Sequence, residues 1–583
     1  MSFDILAALP PELAIEIFAF LDPGSLTRCT AVSKAWRNAI ANDLIWRRVA
    51  TEQLCLCPDE TEVQDLATLP SLKRWSASGH LAGLANFRQL CVRWQQVLVG
   101  WRGRRGLIED QQGLDQSEPE PPEGTAAIRH PSLTGVSKIQ ATSDTIGVMA
   151  PEGQLDIWRI KLDPEDRTLI ATTRTGGLYV VDIATNQIVW QLGSHQIGSY
   201  KHLEGERGVL VMNRRGPDGE ECFEVWVHRR LIPDEGNGEL YQSRSIILTS
   251  QGVRASRFKW PIFCGMGELG TAFFWDLTDP DQPRQLNSID ASARHSHARE
   301  INYVDFDDQH LFLVGQYLDQ VTIYDRTTGQ VKWSMAAYLR QADAASLVRS
   351  YKMEFDDLRA QPTDPRLSTF DFFERKLLPK EIDPQLKEKI ERGGAVAVGD
   401  GRFEWVAIHP DEATGALFIL GRLMLVIIPN FASLSESSCR VPIMAIEYRT
   451  WGFHQSTFPM FSDVVHQLPL TVADGRALFV EANNILVDLA PQRQVPLTPG
   501  SAPFLLPADP DVLPPLRVFG SHNPFFDLAD RIGIHGCSCA QMDAANIFTV
   551  FQTEAPDYED AEDEADMREA ICEVLHWHVD ADA

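Results

Sequence analysis

The chain has 583 residues, 44% of them apolar and 23% charged, which is enough for several domains and too balanced for wholesale disorder. Its formal charge of −28 argues against general nucleic-acid binding, which needs a basic footprint. No apolar run approaches the roughly 18 residues that span a bilayer, Met1-Ser2-Phe3-Asp4 lacks the basic lead of a secretory signal, and the ten cysteines are scattered like reduced thiols, so a cytoplasmic or nuclear protein is expected.

Within a first module of residues 1–50, residues 4–50 read as a short series of helices. Leu9-Pro10-Pro11-Glu12 opens the first, with proline where a missing N–H costs nothing. Leu13, Ile17 and Leu21 fall four apart on one face, with Phe18 beside them. Asp22-Pro23-Gly24 ends that helix, and Ser25 or Thr27 is placed to cap a second carrying Leu26. Val32, Trp36 and Ile40 line a third, and Asp43 precedes a last turn with Ile45 and Trp46. So much apolar surface exceeds what about 45 residues bury internally. Packing on the rest of the chain or on a partner would absorb the surplus.

The run Leu9-Pro10-x-Glu12-Leu13, Ile17-Phe18, Leu21-Asp22, Leu26, Val32-Ser33-Lys34-x-Trp36-Arg37, Leu44-x-Trp46-Arg47 resembles an F-box over about 40 residues without gaps. The resemblance implies docking on a Skp-type adaptor and, through it, on a cullin scaffold. By position it assigns that contact to Leu9, Pro10, Leu13, Ile17, Phe18, Leu21, Leu26, Val32 and Trp36. Some of these, Trp36 especially, are alternatively the module's own core.

Residues 51–108 form a helical connector. Phe87, Leu90, Cys91, Trp94, Val97, Leu98 and Trp101 make one helical stripe, and Lys73 to Arg105 holds seven Lys/Arg and no acid. The layout is similar to the linker helix of F-box proteins that carry WD-type propellers. Residues 109–135 follow as an acidic, Pro-rich linker, with six acids and no base between Glu109 and Glu123.

From about residue 136 to 552 the texture becomes short β-like runs between turns. Val181-Asp182-x-x-Thr185-Asn186-Gln187-Ile188-x-Trp190 matches Tyr324-Asp325-x-x-Thr328-Gly329-Gln330-Val331-x-Trp333, a repeated hairpin whose Asn or Gly suits the tight turn. Two more strand-like runs precede each copy, and four short antiparallel strands per unit is a propeller blade. The markers Asp182, Trp226, Asp276 and Asp325 are spaced at about 44–50 residues, a blade-like period. The fold class is therefore α+β multidomain: a small all-α module and linker helix, then an all-β propeller of six to eight blades. Seven is the count if residues 136–150 pair with strands near 531–551. Trp190 and Trp333 are expected between blades. A pair of β-sandwiches is the competing architecture. Residues 336–402 break the period and read as an insertion on one rim, with helical patches at Ala344–Leu358 and Asp383–Glu391. Residues 553–583 form an acidic tail with twelve acids and one Arg, in which Glu573–Val579 reads as an edge strand or part of a helix.

No catalytic constellation stands out. His535 with Cys537-Ser-Cys539, and Cys55-x-Cys57, lack the usual spacing of zinc ligands, His295-Ser-His297 reads as a solvated loop, and neither a phosphate loop nor a nucleophile elbow occurs. Arg174, Arg214-Arg215 and Arg254 lie at turns without forming an evident phosphate pocket. The expectation is a non-enzymatic substrate-recognition subunit of a Skp–cullin–F-box ubiquitin ligase, without cofactor or metal, its propeller holding an unidentified protein substrate, with no nucleic acid and no membrane as partner. The alternatives are a scaffold that binds the adaptor without directing degradation and a quinoprotein-like propeller enzyme.

Overall fold

The computed structural model describes residues 9–50, 84–102, 133–139, 157–353, 372–388, 405–448, 469–489, 516–522, 534–553 and 572–579, apart from short breaks inside these ranges. Among the described residues the N-terminal module has four short helices: α1 (Pro11–Ala19), α2 (Pro23–Cys29), α3 (Lys34–Ile40) and α4 (Asp43–Arg48). Proline opens both α1 and α2, so Ser25 and Thr27 lie inside α2 and do not cap it; the Thr27 hydroxyl donates to the Pro23 carbonyl at 2.8 Å. Ser33 caps α3 by accepting from Trp36 N at 3.1 Å, and Asn42 caps α4 by accepting from Leu44 N at 3.1 Å.

The longer α5 (Phe87–Arg102) completes this module. Phe87, Leu90, Cys91 and Trp94 join Phe18, Leu26, Ile40, Ile45, Trp46 and Val49 in one apolar core. The Asp43 carboxylate accepts from Phe87 N at 3.1 Å, Cys91 Sγ donates to the Trp46 carbonyl at 3.4 Å, and the Arg88 guanidinium lies 5.8 Å from the Trp46 ring centre. Connector and helical module are thus a single packed unit, and α5 also touches the strand Cys572–Val579.

The rest of the described chain forms seven sheets. Four are simple antiparallel meanders in chain order: sheet I (157–192), sheet II (203–248), sheet III (253–290) and sheet IV (301–334). Sheet V is built on the meander 405–447 and sheet VI on 470–522, while sheet VII contains 534–553. The first strand of each meander touches the first strand of the next, and Ile534–Met542 of sheet VII touches Ile157–Asp163 of sheet I. The contacts close a ring, which makes the domain a β-propeller.

Because each sheet is sandwiched between two others, its second strand is buried on both faces. Thr168–Thr173, His310–Gly315 and Ala416–Gly421 are buried at every position, hence their near-continuous apolar character. Apolar clusters fill the spaces between sheets I and II, II and III, III and IV, IV and V, V and VI, and VII and I. Trp333 is buried, as expected from its place in the hairpin repeat, whereas Trp190 is half-buried against Trp226 and Tyr241.

Three expectations need correction. The strand that closes sheet VII from the N-terminal side is Leu133–Ile139, and it pairs with Cys572–Val579, not with strands near 531–551. Cys572–Val579 is therefore no edge strand: Asn546–Thr553 flanks it on its other side. Third, Val348–Met353, read as helical, is a strand paired in parallel with Ile443–Glu447 on sheet V. Within 336–402, Leu377–Lys380 extends sheet V further and Phe372–Arg375 pairs with Arg517–His522 of sheet VI, so these strands lie at the outer edges of two sheets.

Candidate functional site

The helical module buries one set of its apolar residues and exposes another. Phe18 and Leu26 are buried in its own core; Leu21 and Trp36 are half-buried, with the Trp36 ring 5.3 Å edge-on to Phe18. Leu13 and Ile17 are 50% and 51% exposed, Val32 62%, and Pro10 is exposed while Leu9 is half-buried. Phe20, 77% exposed, follows Ile17 by three residues, and Leu44 is also exposed. Leu13, Ile17 and Phe20 share the helical spacing of one face. Phe20 was missed from the sequence because the periodicity of α1 assigns the stripe to Leu21; Leu44 was read as part of the motif but not assigned to the contact. Large apolar side chains left in water on a module with a finished core make this face the candidate binding surface.

A second feature lies on the first strands of the propeller. Lys161 (sheet I), Arg257 (III), Asp305 (IV) and His409 (V) are each the fifth residue of their strand, and each of these strands carries a register shift at its start. Glu204 of sheet II joins them. Lys161 Nζ meets Glu204 at 3.0 Å, Lys259 Nζ meets Asp305 at 3.0 Å, and Arg257 lies 3.9 Å from Glu204 and 3.6 Å from Asp305. His409 Nδ1 is 2.6 Å from Asp305, and its Nε2 is 3.3 Å from the Tyr303 hydroxyl. An ionic belt thus ties five consecutive sheets together.

Burial alone would raise the Glu204 carboxyl, but the charges of Lys161 and Arg257 and the His202 hydrogen bond outweigh it and hold the group below the usual carboxylate range. Asp305 behaves likewise, its burial outweighed by Lys259, Arg257 and His409. Burial pushes His409 down and the Tyr303 phenol up to about 12, so both rings are neutral at pH 7. Asp305, His409 and Tyr303 form a hydrogen-bonded row, but every charge in it is satisfied within the belt. Its evident work is to register one sheet on the next.

The repeated Asp and Thr have a local role. Asp182 accepts from the backbone N–H and hydroxyl of Thr185 at 2.7 and 2.8 Å, and Asp325 does the same with Thr328 at 2.8 and 3.0 Å. Each carboxylate holds a hairpin turn shut, and Gly329 takes the left-handed φ of +70° that the second turn requires. Of the other candidates, Cys539 is buried and donates to the Ile160 carbonyl at 3.7 Å, tying sheet VII to sheet I. Arg174 lies over the Trp158 ring and Arg214 pairs with Glu224 at 2.8 Å. Among the described residues no group of three or more His, Cys, Asp or Glu is placed to hold a metal ion, and no helix is long and apolar enough to cross a membrane. Cys55, Cys57, His295 and His297 lie outside the described residues.

Residues 6–52 match the F-box-like family model. A probable E3 ubiquitin ligase complex SCF subunit, sconB, of Penicillium rubens is 43% identical over 51 residues, 9% of this chain and 8% of that protein. The sconB of Arthroderma otae is 35% identical over 178 residues, 28% of this chain and 24% of its own. Human F-box/WD repeat-containing protein 8 is 29% identical over 108 residues, 18% and 15% of the two chains. The chain thus spans less than a quarter of the length of these curated relatives. Among solved structures, the Myceliophteria thermophila Cps50 (Swd1) β-propeller domain aligns with 73% of this chain and 97% of its own at 11% identity and a TM-score of 0.37, a likeness that adds nothing to the strand order above. The chain thus carries an F-box-like module at residues 6–52, with a closed ring of sheets forming a β-propeller behind it.

Proposed function

We propose that this protein is the substrate-recognition subunit of a Skp–cullin–F-box ubiquitin ligase. The exposed Leu13, Ile17, Phe20 and Val32 on a module whose core is already filled carry the reading. That surface would dock on the Skp-type adaptor, the adaptor on a cullin, and the propeller, taken as seven blades with one sheet each, would hold the substrate. The protein contributes no bond-making chemistry of its own. It raises the local concentration of substrate lysines near a charged conjugating enzyme, so that geometry is its contribution to rate. The shared core of α4 and α5, and the contact of α5 with the propeller's final strand, favour a stiff link between the two binding surfaces. A cytoplasmic or nuclear location belongs to the same reading.

Co-purification with the Skp-type adaptor tests it. Leu13 and Ile17 are half-exposed, so a Leu13→Asp/Ile17→Asp variant should fold and lose the adaptor. Undiminished capture by that variant, or no capture by the parent chain, would reject the proposal. A scaffold that directs no degradation would bind the adaptor equally well, and client half-lives measured with and without the protein separate the two.

A further inference from the structure

The connection between sheets I and II, residues 193–202, is pinned from several sides. Ile197 is buried between the two sheets, and its carbonyl accepts from Gly177 N at 2.8 Å. The N–H groups of Gln196 and Ile197 donate to the Gly193 carbonyl at 3.0 and 3.1 Å, and the Thr172 hydroxyl donates to the Lys201 carbonyl at 2.9 Å. Gly176 belongs to the same device: a Cβ there would lie 2.8 Å from the Ile197 carbonyl oxygen. Within this fixed loop Tyr200 takes a φ of +56°, a conformation disfavoured for a residue with a side chain and readily adopted by glycine. Its ring is 58% exposed, so little of it serves the interior. A bulky side chain held in this conformation, and then left in water, points to work outside the fold.

Tyr200 does not stand alone. Trp158 is the extra residue of a bulge at the start of Ile157–Asp163, where Ile157 pairs with Thr173 and Arg159 with Thr172. Bulges re-aim a side chain, and the Trp158 ring meets Tyr200 edge-on at 5.2 Å. The Arg159 and Arg174 guanidinium carbons lie 5.0 and 5.6 Å from its centre. Tyr, Trp and Arg are the side chains that dominate protein–protein contacts. The charges are sorted by end. Residues 157–203 contain four acids, Asp163, Glu165, Asp166 and Asp182, and all four stand at the two turns of the opposite end of sheet I. The first three lie against Arg230, and the fourth closes its hairpin. Within these residues, Arg159, Arg174 and Lys201 share an end without a carboxylate.

We propose that this end of sheet I docks an acidic segment of a partner protein. An apolar or aromatic side chain of the segment packs on the Tyr200 ring, and its Asp or Glu carboxylates meet Arg174 and Lys201. Single-stranded nucleic acid also stacks on aromatic rings between cations. A chain of charge −28 repels a long polyanion, however, whereas a short acidic segment meets only the local cations. That the partner is a ubiquitylation client rests on the receptor reading above; the docking itself does not.

The test selects phage-displayed random 12-residue peptides on the purified full chain. Bound sequences should combine Asp or Glu with an apolar or aromatic residue. The best of them, fluorescein-labelled, is then titrated by fluorescence anisotropy. Tyr200→Gly, which removes the ring and relieves the backbone, should weaken it about tenfold or more while melting no lower than the parent chain. Lys201→Gln should weaken it about threefold, the scale of one exposed ion pair, and lessen its salt dependence. No acidic enrichment, or parental affinity in Tyr200→Gly, would overturn the proposal. So would tighter binding of a version with phosphoserine in place of the acids, or of a thymidine oligonucleotide. A clearly lowered melting point of Tyr200→Gly would do the same, because the ring would then be serving the fold. Adaptor co-purification of Tyr200→Gly should match the parent, so the docking and the receptor reading can fail separately.

Discussion

Replacing Asp305 by Asn tests whether the ionic belt holds the propeller together. Asp305 is 1% exposed and meets Lys259 at 3.0 Å, His409 at 2.6 Å and Arg257 at 3.6 Å. Asn keeps the shape and removes the charge, leaving Lys259 without its counterion and Arg257 with Glu204 alone in a poorly solvated site. Breaking a buried pair in this way costs about 3–5 kcal/mol. At about 2 °C per kcal/mol, the low end for domains of 150–250 residues, the melting point should fall by about 6–10 °C. The matched control is Asp281→Asn. Asp281 pairs with Arg244 at 2.5 and 2.8 Å, but in the open, where such pairs contribute about 0–1 kcal/mol. Both variants are melted at pH 7, followed by the far-ultraviolet circular dichroism of the sheets. If Asp305→Asn melts within about 1 °C of the parent, or no lower than Asp281→Asn, the belt is not a stabilising element.

The buried His409 gives a pH dependence of definite sign. Its folded pKa is lowered, so the unfolded chain takes up the proton first, and stability present above about pH 6.5 should be lost progressively as pH falls toward 5. His409→Gln should flatten that slope in melts taken across this range; an unchanged slope would exclude His409 as its source. In the helical module, Phe18→Ala should cost about 3–5 kcal/mol, because the ring is fully buried, whereas Phe20→Ala should stay within about 0.5 kcal/mol. Hydrogen exchange of the α1 amides distinguishes them, and equal protection in the two variants would contradict the packing described here.

The helical module was legible because its signals are local. Prolines start α1 and α2, and helical spacing marks the α5 stripe; the Ser33 cap of α3 went unread, and Ser25 or Thr27 was expected as a cap instead. The hairpin repeat was legible for the same reason, since Asp182 and Asp325 bond residues three positions away. The belt was not. Lys161, Arg257, Asp305 and His409 occupy one structural position but differ in sign and type, so no residue-level repeat links them; what unites them is complementarity between neighbouring sheets. Val348–Met353 was misread because its partner, Ile443–Glu447, lies about 95 residues away, and pairing across that distance overrides local preference. Phe20 escaped notice because burial, not periodicity, divides Leu21 from it.

Leu133–Ile139 and Cys572–Val579 lie about 440 residues apart in the chain. At roughly 5–20 residues per second, a ribosome needs about 20–90 s to deliver the second strand after the first. Through that interval the helical module is complete, while sheet VII lacks the strand that joins its early and late parts. The same late strand is the one α5 touches. During synthesis, the two ends of the molecule acquire their mutual orientation last.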